Sequence, residues 1–189
     1  GGIWICTFGN GVYHYDPSSG KIENFRIENG NNNSLSCNQV NGVLEDSDNN
    51  LWFATEDGLN KYLPGKKIFK RYTMENGLPG NFILKLLEDK KDNLWISTSK
   101  GLACLNPATE KIKVYNTANG LISDQFNFNS AFKDANEQFY FGTVNGMVSF
   151  YPSGFEENAF IPPVYLTGFE ISNRKVEIDS IQSPLKKSI

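Results

Sequence analysis

Residues Asp89–Pro107 read DKKDNLWISTSKGLACLNP. The string is an acidic turn, a short strand centred on Trp95, a Gly-Leu turn at Gly101-Leu102, a second strand and a proline stop. It occurs again as DSDNNLWFATEDGLNKYLP over Asp46–Pro64. Weaker copies are GIWICTFGNGVYHYDP over Gly2–Pro17 and DANEQFYFGTVNGMVSFYP over Asp134–Pro152. One supersecondary unit thus appears about four times, and repetition of this kind decides a fold before any other signal.

Two markers set the register. The central aromatic is Trp4, Trp52, Trp95 and Tyr140, with steps of 48, 43 and 45 residues. The stop proline is Pro17, Pro64, Pro107 and Pro152, with steps of 47, 43 and 45. A period of about 40–50 residues suits four-stranded propeller blades and also helical repeats, so the pattern inside the repeat must choose. Alternation with β-branched and aromatic residues marks strands at Val40–Leu44, Leu51–Thr55, Phe82–Leu86, Leu94–Thr98, Phe126–Phe132 and Phe139–Thr143. Asn-Gly and Asp-Gly pairs at 10–11, 29–30, 57–58, 76–77, 119–120 and 145–146 supply the positive φ of tight hairpin turns. No helical stripe competes, and the chain reads as all-β.

Each unit resolves into four strands, the fourth running to Phe25, Tyr72 or Tyr115. Leu35, Leu78 and Leu121 occupy matching places; Asp46 and Asp89 each follow 11 residues later. The first loop, ENGNNNSL over 28–35, is expanded, and two extra residues precede Tyr140. The expected count is three, four, four and three strands: a partial β-propeller of about four blades with unpaired edges, which proteins ordinarily cover. The blades are 1–28 (partial), 29–74, 75–117 and 118–161 (outer strand missing). After Pro162-Pro163 the rhythm changes, and 162–189 reads as the truncated start of an immunoglobulin-like β-domain. The chain opens inside a repeat and closes without a terminating element, so it is expected to be a piece of a longer polypeptide.

The 189 residues carry a net charge of −3 without a basic stripe, which speaks against a nucleic-acid partner. No apolar run approaches the roughly 20 residues of a membrane-spanning helix. Cys6, Cys37 and Cys104 fall at non-equivalent places without CxxC spacing and read as small core or strand residues.

The stretches LEDSDNNLWFATEDGLNKYLP and LEDKKDNLWISTSKGLACLNP, with the loops ENGL and ANGL, resemble two-component regulator propeller repeats. FNFNSAFKDANEQFYFGTVNGMVSFYP resembles that family's last blade, with Tyr for Trp and the Gly142-Thr143 pair following. PPVYLTGFEISNRKV resembles the opening of the triple-tyrosine (Y_Y_Y) domain that follows such propellers. The resemblance implies part of the extracytoplasmic, periplasmic sensor of a Bacteroidetes hybrid two-component histidine kinase. Such a sensor binds a carbohydrate-derived ligand and signals through a membrane helix, its parent anchored in the inner membrane. No kinase residues lie in this chain, so it is expected to be non-catalytic, without cofactor or membrane contact of its own. The alternatives are a propeller lyase-type enzyme and a protein-interaction scaffold without a small-molecule ligand.

Individual residues fit this reading. His14 is the only histidine, and its equivalents Lys61, Cys104 and Ser149 share no chemistry. Asp46-x-Asp48-x-Asn50 begins like a calcium loop, but Leu51 stands where the turn needs Gly and Lys91 breaks the acidic set in the next copy. An Asx-bonded hairpin turn is expected there, and no metal. The recurring Trp side chains are expected between neighbouring sheets rather than under a sugar. Asn38, Asn81 and Asp124 each lie three residues after a loop leucine, at the entry to the innermost strand. Their recurrence favours an Asx-turn role; the competing expectation is a ring of ligand contacts. Gln125, Asn127 and Asn129 add amides, and period-2 geometry would put Phe126 and Phe128 on the other side. The expected sensing face is formed by loops 28–38, 75–81 and 118–125, with Asn38, Asn81, Asp124, Gln125 and Asn127 as ligand contacts to an oligosaccharide. The open edges are expected to drive homo-oligomerisation.

Overall fold

The structure is a computed structural model and describes residues 2–155 together with 170–171 and 174–175. The first unit holds four antiparallel sheets in a meander. Blade 1 contains β1 (Ile3–Cys6), β2 (Val12–Asp16) and β3 (Lys21–Phe25). Blade 2 contains β4 (Val40–Glu45), β5 (Leu51–Thr55), β6 (Gly58–Leu63) and β7 (Ile68–Tyr72). Blade 3 contains β8 (Ile83–Glu88), β9 (Leu94–Thr98), β10 (Gly101–Leu105) and β11 (Ile112–Tyr115). Blade 4 contains β12 (Phe126–Lys133), β13 (Phe139–Thr143) and β14 (Gly146–Phe150). Strand order within every sheet is sequential, and the inner strand β8 lies against β4 on one side and β12 on the other. This is an arc of a propeller with the expected three, four, four and three strands.

The second unit contributes, among the described residues, only a hairpin of β15 (Glu170–Ile171) and β16 (Arg174–Lys175). Residues 172–173, where the sequence leads one to expect a turn, lie outside the described residues. The remainder of the Y_Y_Y-like start expected over 162–189 lies outside the described residues.

The core is a set of inter-blade seams. Trp4, Cys6 and Phe25 of blade 1 pack on Phe53, Tyr62 and Phe69 of blade 2. Trp52, Ala54, Leu59 and Tyr72 of blade 2 pack on Leu94, Ile96, Ala103 and Leu105 of blade 3. Trp95 and Leu102 of blade 3 pack on Phe139, Phe141 and Phe150 of blade 4. Each strand therefore sends alternate residues to opposite seams, which is why β5, β9 and β13 are apolar at nearly every position. The Trp lies between neighbouring sheets, as the repeat predicts, and it belongs to the face that meets the following blade.

Four expectations are corrected. Asn29-Gly30 is not a hairpin turn but part of the loop from β3 to β4, which belong to different sheets. Asn76-Gly77 and Asn119-Gly120 are not hairpin turns but close the 3-10 helices Met74–Asn76 and Thr117–Asn119, with Gly77 and Gly120 as left-handed C-caps at φ 105° and 96°. Both helices carry capping boxes, Thr73 with Asn76 and Asn116 with Asn119. Phe128 does not join Phe126 in the core: it is 53% exposed while Phe126 is 5% exposed. The cause is a bulge, because β12 pairs Phe126 with Thr143 but next Ala131 with Phe141. The inner strands β4 and β8 carry one-residue irregularities after Val40 and Ile83. In blade 4 the two extra residues before Tyr140 enlarge this bulge, Asn129 turning through φ 51°.

Candidate functional site

The acidic turns come first, because they resemble a metal loop. Asp46 Oδ1 accepts from the backbone N–H of Asp48 and Asn50 and from Asn50 Nδ2, while Oδ2 accepts from Trp52 Nε1 at 2.7 Å. Asp89 repeats the pattern with Lys91, Asn93 and Trp95, the indole donating at 2.8 Å. In blade 4, Asp134 accepts from the backbone of Asn136 and Gln138, and the Tyr140 hydroxyl donates to it at 3.3 Å. The fourth turn residue adopts left-handed φ each time: Asn49, Asp92 and Glu137. These carboxylates are occupied by donors of their own chain, and among the described residues no cluster of His, Cys, Asp or Glu is arranged to hold a metal ion. Burial pushes the Asp46 carboxyl up, but the hydrogen bonds from Trp52 and Asn50 outweigh it and hold it below the usual range.

The residues opposite Trp4 and Trp52 on the next strand lie against their rings. His14 stacks on Trp4 with centroids 4.4 Å apart, and Lys61 Nζ sits 5.0 Å from the Trp52 centroid. His14 Nδ1 also lies 4.0 Å from Glu23. Cys6 and Cys104 are half-buried strand residues; burial pushes their thiols up to about 11 and about 12, the latter helped by Asp89. Both stay protonated at neutral pH and are poor nucleophiles or ligands.

The expected ligand ring is engaged in closing loops. Asn38 Oδ1 accepts from Ile27 N, Asn81 Oδ1 from Met74 N and Asp124 Oδ1 from Thr117 N, at 2.9, 2.8 and 2.6 Å. Asn81 Nδ2 also donates to Asp57, tying the loop to the β5–β6 hairpin turn. Position three after the leucine is thus the latch of the inter-blade connection, the Asx role weighed in the sequence. Gln125 is exposed, and its side chain makes no hydrogen bond among the described residues. Asn127 donates to Thr143 O at 2.9 Å, and Asn129 accepts from Lys85 Nζ across the blade 3–4 seam. The bulge puts these amides and Phe128 on one exposed segment, which strict alternation does not foresee.

The expanded loop was legible as an insertion, but not where it goes. Arg71 on β7 donates through Nε to Ser34 O and through Nη2 to Asn31 O, Ser34 Oγ and Leu35 O. Phe69 N donates to Asn33 O at 2.7 Å. The loop is folded onto the outer strand of blade 2. Arginine at 71 has no equivalent in the other blades, and that departure is the signal that marks it.

Comparison with known proteins agrees with this geometry. Residues 34–57 and 77–100 match the model of the two-component regulator propeller. Histidine kinase P4 of Formosa agariphila is 30% identical over 183 residues, which is 97% of this chain and 10% of that protein. The extracellular domain of a hybrid two-component system from B. thetaiotaomicron superposes with a TM-score of 0.76 at 28% identity, covering 94% of this chain and 25% of that one. The chain therefore spans about a tenth of the curated relative and a quarter of the solved domain. Virginiamycin B lyase from Staphylococcus aureus shares the fold alone, with 16% identity, a TM-score of 0.58, and coverage of 82% of this chain and 53% of the enzyme. Among the described residues no helix is long and apolar enough to cross a membrane.

Proposed function

We propose, from the premise that residues 34–57 and 77–100 are two-component regulator propeller repeats, that this chain is a non-catalytic part of a periplasmic sensor that binds a carbohydrate-derived ligand. The observation that carries the reading is the likeness, in sequence and fold together, to the extracellular domain of a hybrid two-component system. The loop face supports the ligand class. Gln125 and Asn127 present neutral amides beside exposed Phe128, a combination suited to sugar hydroxyls and a ring face. Asn38, Asn81 and Asp124 support that face from behind by latching its loops, so ligand occupancy and loop position are mechanically linked. Signalling is then a population shift: a ligand that prefers one loop arrangement moves the equilibrium between two states of the sensor by its differential affinity.

Titrating the complete ectodomain with a glycan panel separates the readings. Saturable heat without product supports sensing; turnover makes the module a lyase, and silence with every glycan makes it a scaffold. Gln125→Ala with Asn127→Ala should weaken binding by about 3- to 10-fold, the loss of one or two net hydrogen bonds. Unchanged affinity removes these residues from the site.

A second expectation concerns the two exposed sheet faces of the arc. Blade 1 presents Ile3, Ile5 and Ile22, and blade 4 presents Phe132 and Met147, all roughly half exposed or more. Within the chain, the equivalents of Ile5 are Phe53 and Ile96, each fully buried against the preceding blade. The first face is thus of the type that receives a Trp face, and the second occupies the Trp side of its own blade. Copies of the chain in solution should join head to tail, a heterologous contact. Sedimentation should show concentration-dependent mass that Ile5→Lys abolishes; a monomer at high concentration refutes the expectation.

A further inference from the structure

We infer that the cleft between residues 31–33 and the 3-10 helix Met74–Asn76 is a second saccharide subsite, on the outer flank of blade 2; this rests on the sensing function proposed above. The cleft has a volume of about 560 Å³, within the range of about 300–1,000 Å³ common to ligand sites. Its lining includes Asn32, Asn33, Ile68, Lys70, Glu75 and Asn76.

Both walls are fixed before any ligand arrives. On one side Arg71 holds three backbone carbonyls of the expanded loop, and Asn33 O is bonded to Phe69 N. Within that loop Asn31 Oδ1 accepts from Asn33 N, and Asn31 Nδ2 donates to Glu28. On the other side the capping box of Thr73 and Asn76 fixes the helix, and Asn81 latches Met74 N. The cationic lining is spent: Lys70 pairs with Glu110, and Arg71 is committed to the loop.

What remains for a ligand is a set of groups without intrachain duty. The side chains of Asn32, Asn33 and Glu75 make no hydrogen bond among the described residues. Two amides and a carboxylate, beside the apolar flank of Ile68, match a neutral, hydroxyl-rich chain. The amides donate and accept, and the carboxylate accepts from hydroxyls. An anionic glycan would meet Glu75 with no free cation in the lining to offset it. The asymmetry between blades carries the argument further. The connections after Tyr72 and Tyr115 reach their loop leucine in six residues, whereas the one after Phe25 takes ten, through Asn29-Gly30-Asn31-Asn32-Asn33. The fold does not need those residues, since blades 3 and 4 form without them. Held to β7 through the backbone carbonyls of Asn31 and Asn33, they build one wall of this cleft.

The test is hydrogen exchange of the chain with neutral oligosaccharides of two to six sugars, alongside uronate-containing ones. The expected result is protection of peptides covering 28–35 and 68–78 by a neutral oligosaccharide only. Asn33→Ala with Glu75→Ala should lower affinity about tenfold or more without changing the melting temperature, because neither side chain serves the fold. Gln125→Ala with Asn127→Ala should leave this protection intact. A glycan that binds but protects only 118–130 overturns the cleft and preserves the sensing function. Absence of binding by every glycan overturns both, and preference for the uronate series overturns the ligand class.

Discussion

Replacing Trp52 with alanine should destabilise the chain by about 3–5 kcal/mol, the range for removing a large buried aromatic. Trp52 has no exposed surface and forms the seam between blades 2 and 3 with Leu94, Ile96 and Leu105. The loss exceeds a cavity, because Asp46 is 6% exposed and counts the indole N–H among its donors. Trp52→Phe isolates that second component: it keeps most of the ring and removes the donor, and should cost about 1–3 kcal/mol. The two components also differ in pH dependence. The Asp46 carboxyl is held below its usual range in the folded chain. Its contribution is therefore present above the unfolded-state value and is lost as pH falls through the lower folded-state one. The gap between wild type and Trp52→Phe should narrow on acidification, measured by chemical denaturation from neutral pH downward. A gap that stays constant would mean the indole–carboxylate bond contributes nothing.

Gly142→Ala should cost about 1–3 kcal/mol, the usual penalty for forcing atoms into a packed site. A Cβ at 142 would lie inside van der Waals contact of Ser130 Oγ and 3.0 Å from Ser130 Cβ. Ala54 and Ser97 stand at the equivalent places in blades 2 and 3, where the bulge is a single residue. The glycine is required by the neighbour rather than by its own backbone. Ser130→Gly should accordingly rescue most of the loss, and a double-mutant cycle measures the coupling directly. Additive effects of the two substitutions would show that the larger bulge does not depend on the missing side chain.

The repeat made most of the fold legible. Strand positions, strand count, the place of the Trp and the equivalence of His14, Lys61, Cys104 and Ser149 all follow from period and alternation; the pairings Trp4–His14, Trp52–Lys61, Trp95–Cys104 and Tyr140–Ser149 bear out the last. The Asx character of the acidic turns was legible too, since Leu51 and Lys91 spoil a calcium loop at the residue level. The bulge of β12 was not, because extra residues placed before Tyr140 look the same in sequence whether they lengthen a turn or a strand. Period-2 reasoning then assigned Phe128 to the wrong side. The 3-10 helices were missed for a similar reason: Asn-Gly signals positive φ, which a hairpin turn and a helix C-cap both require.

The candidate site divides along the same line. Sequence alone determined that Asn38, Asn81 and Asp124 are equivalent, since equivalence is a matter of spacing. What each side chain bonds was decided by the tertiary structure, because an amide near a loop has several backbone donors in reach and only the closed loop selects one. Likewise the length and asparagine content of residues 28–35 were plain in the chain. Their docking on Arg71 was not, because β7 lies 36 to 40 residues further along the chain and reaches the loop only once blade 2 has folded.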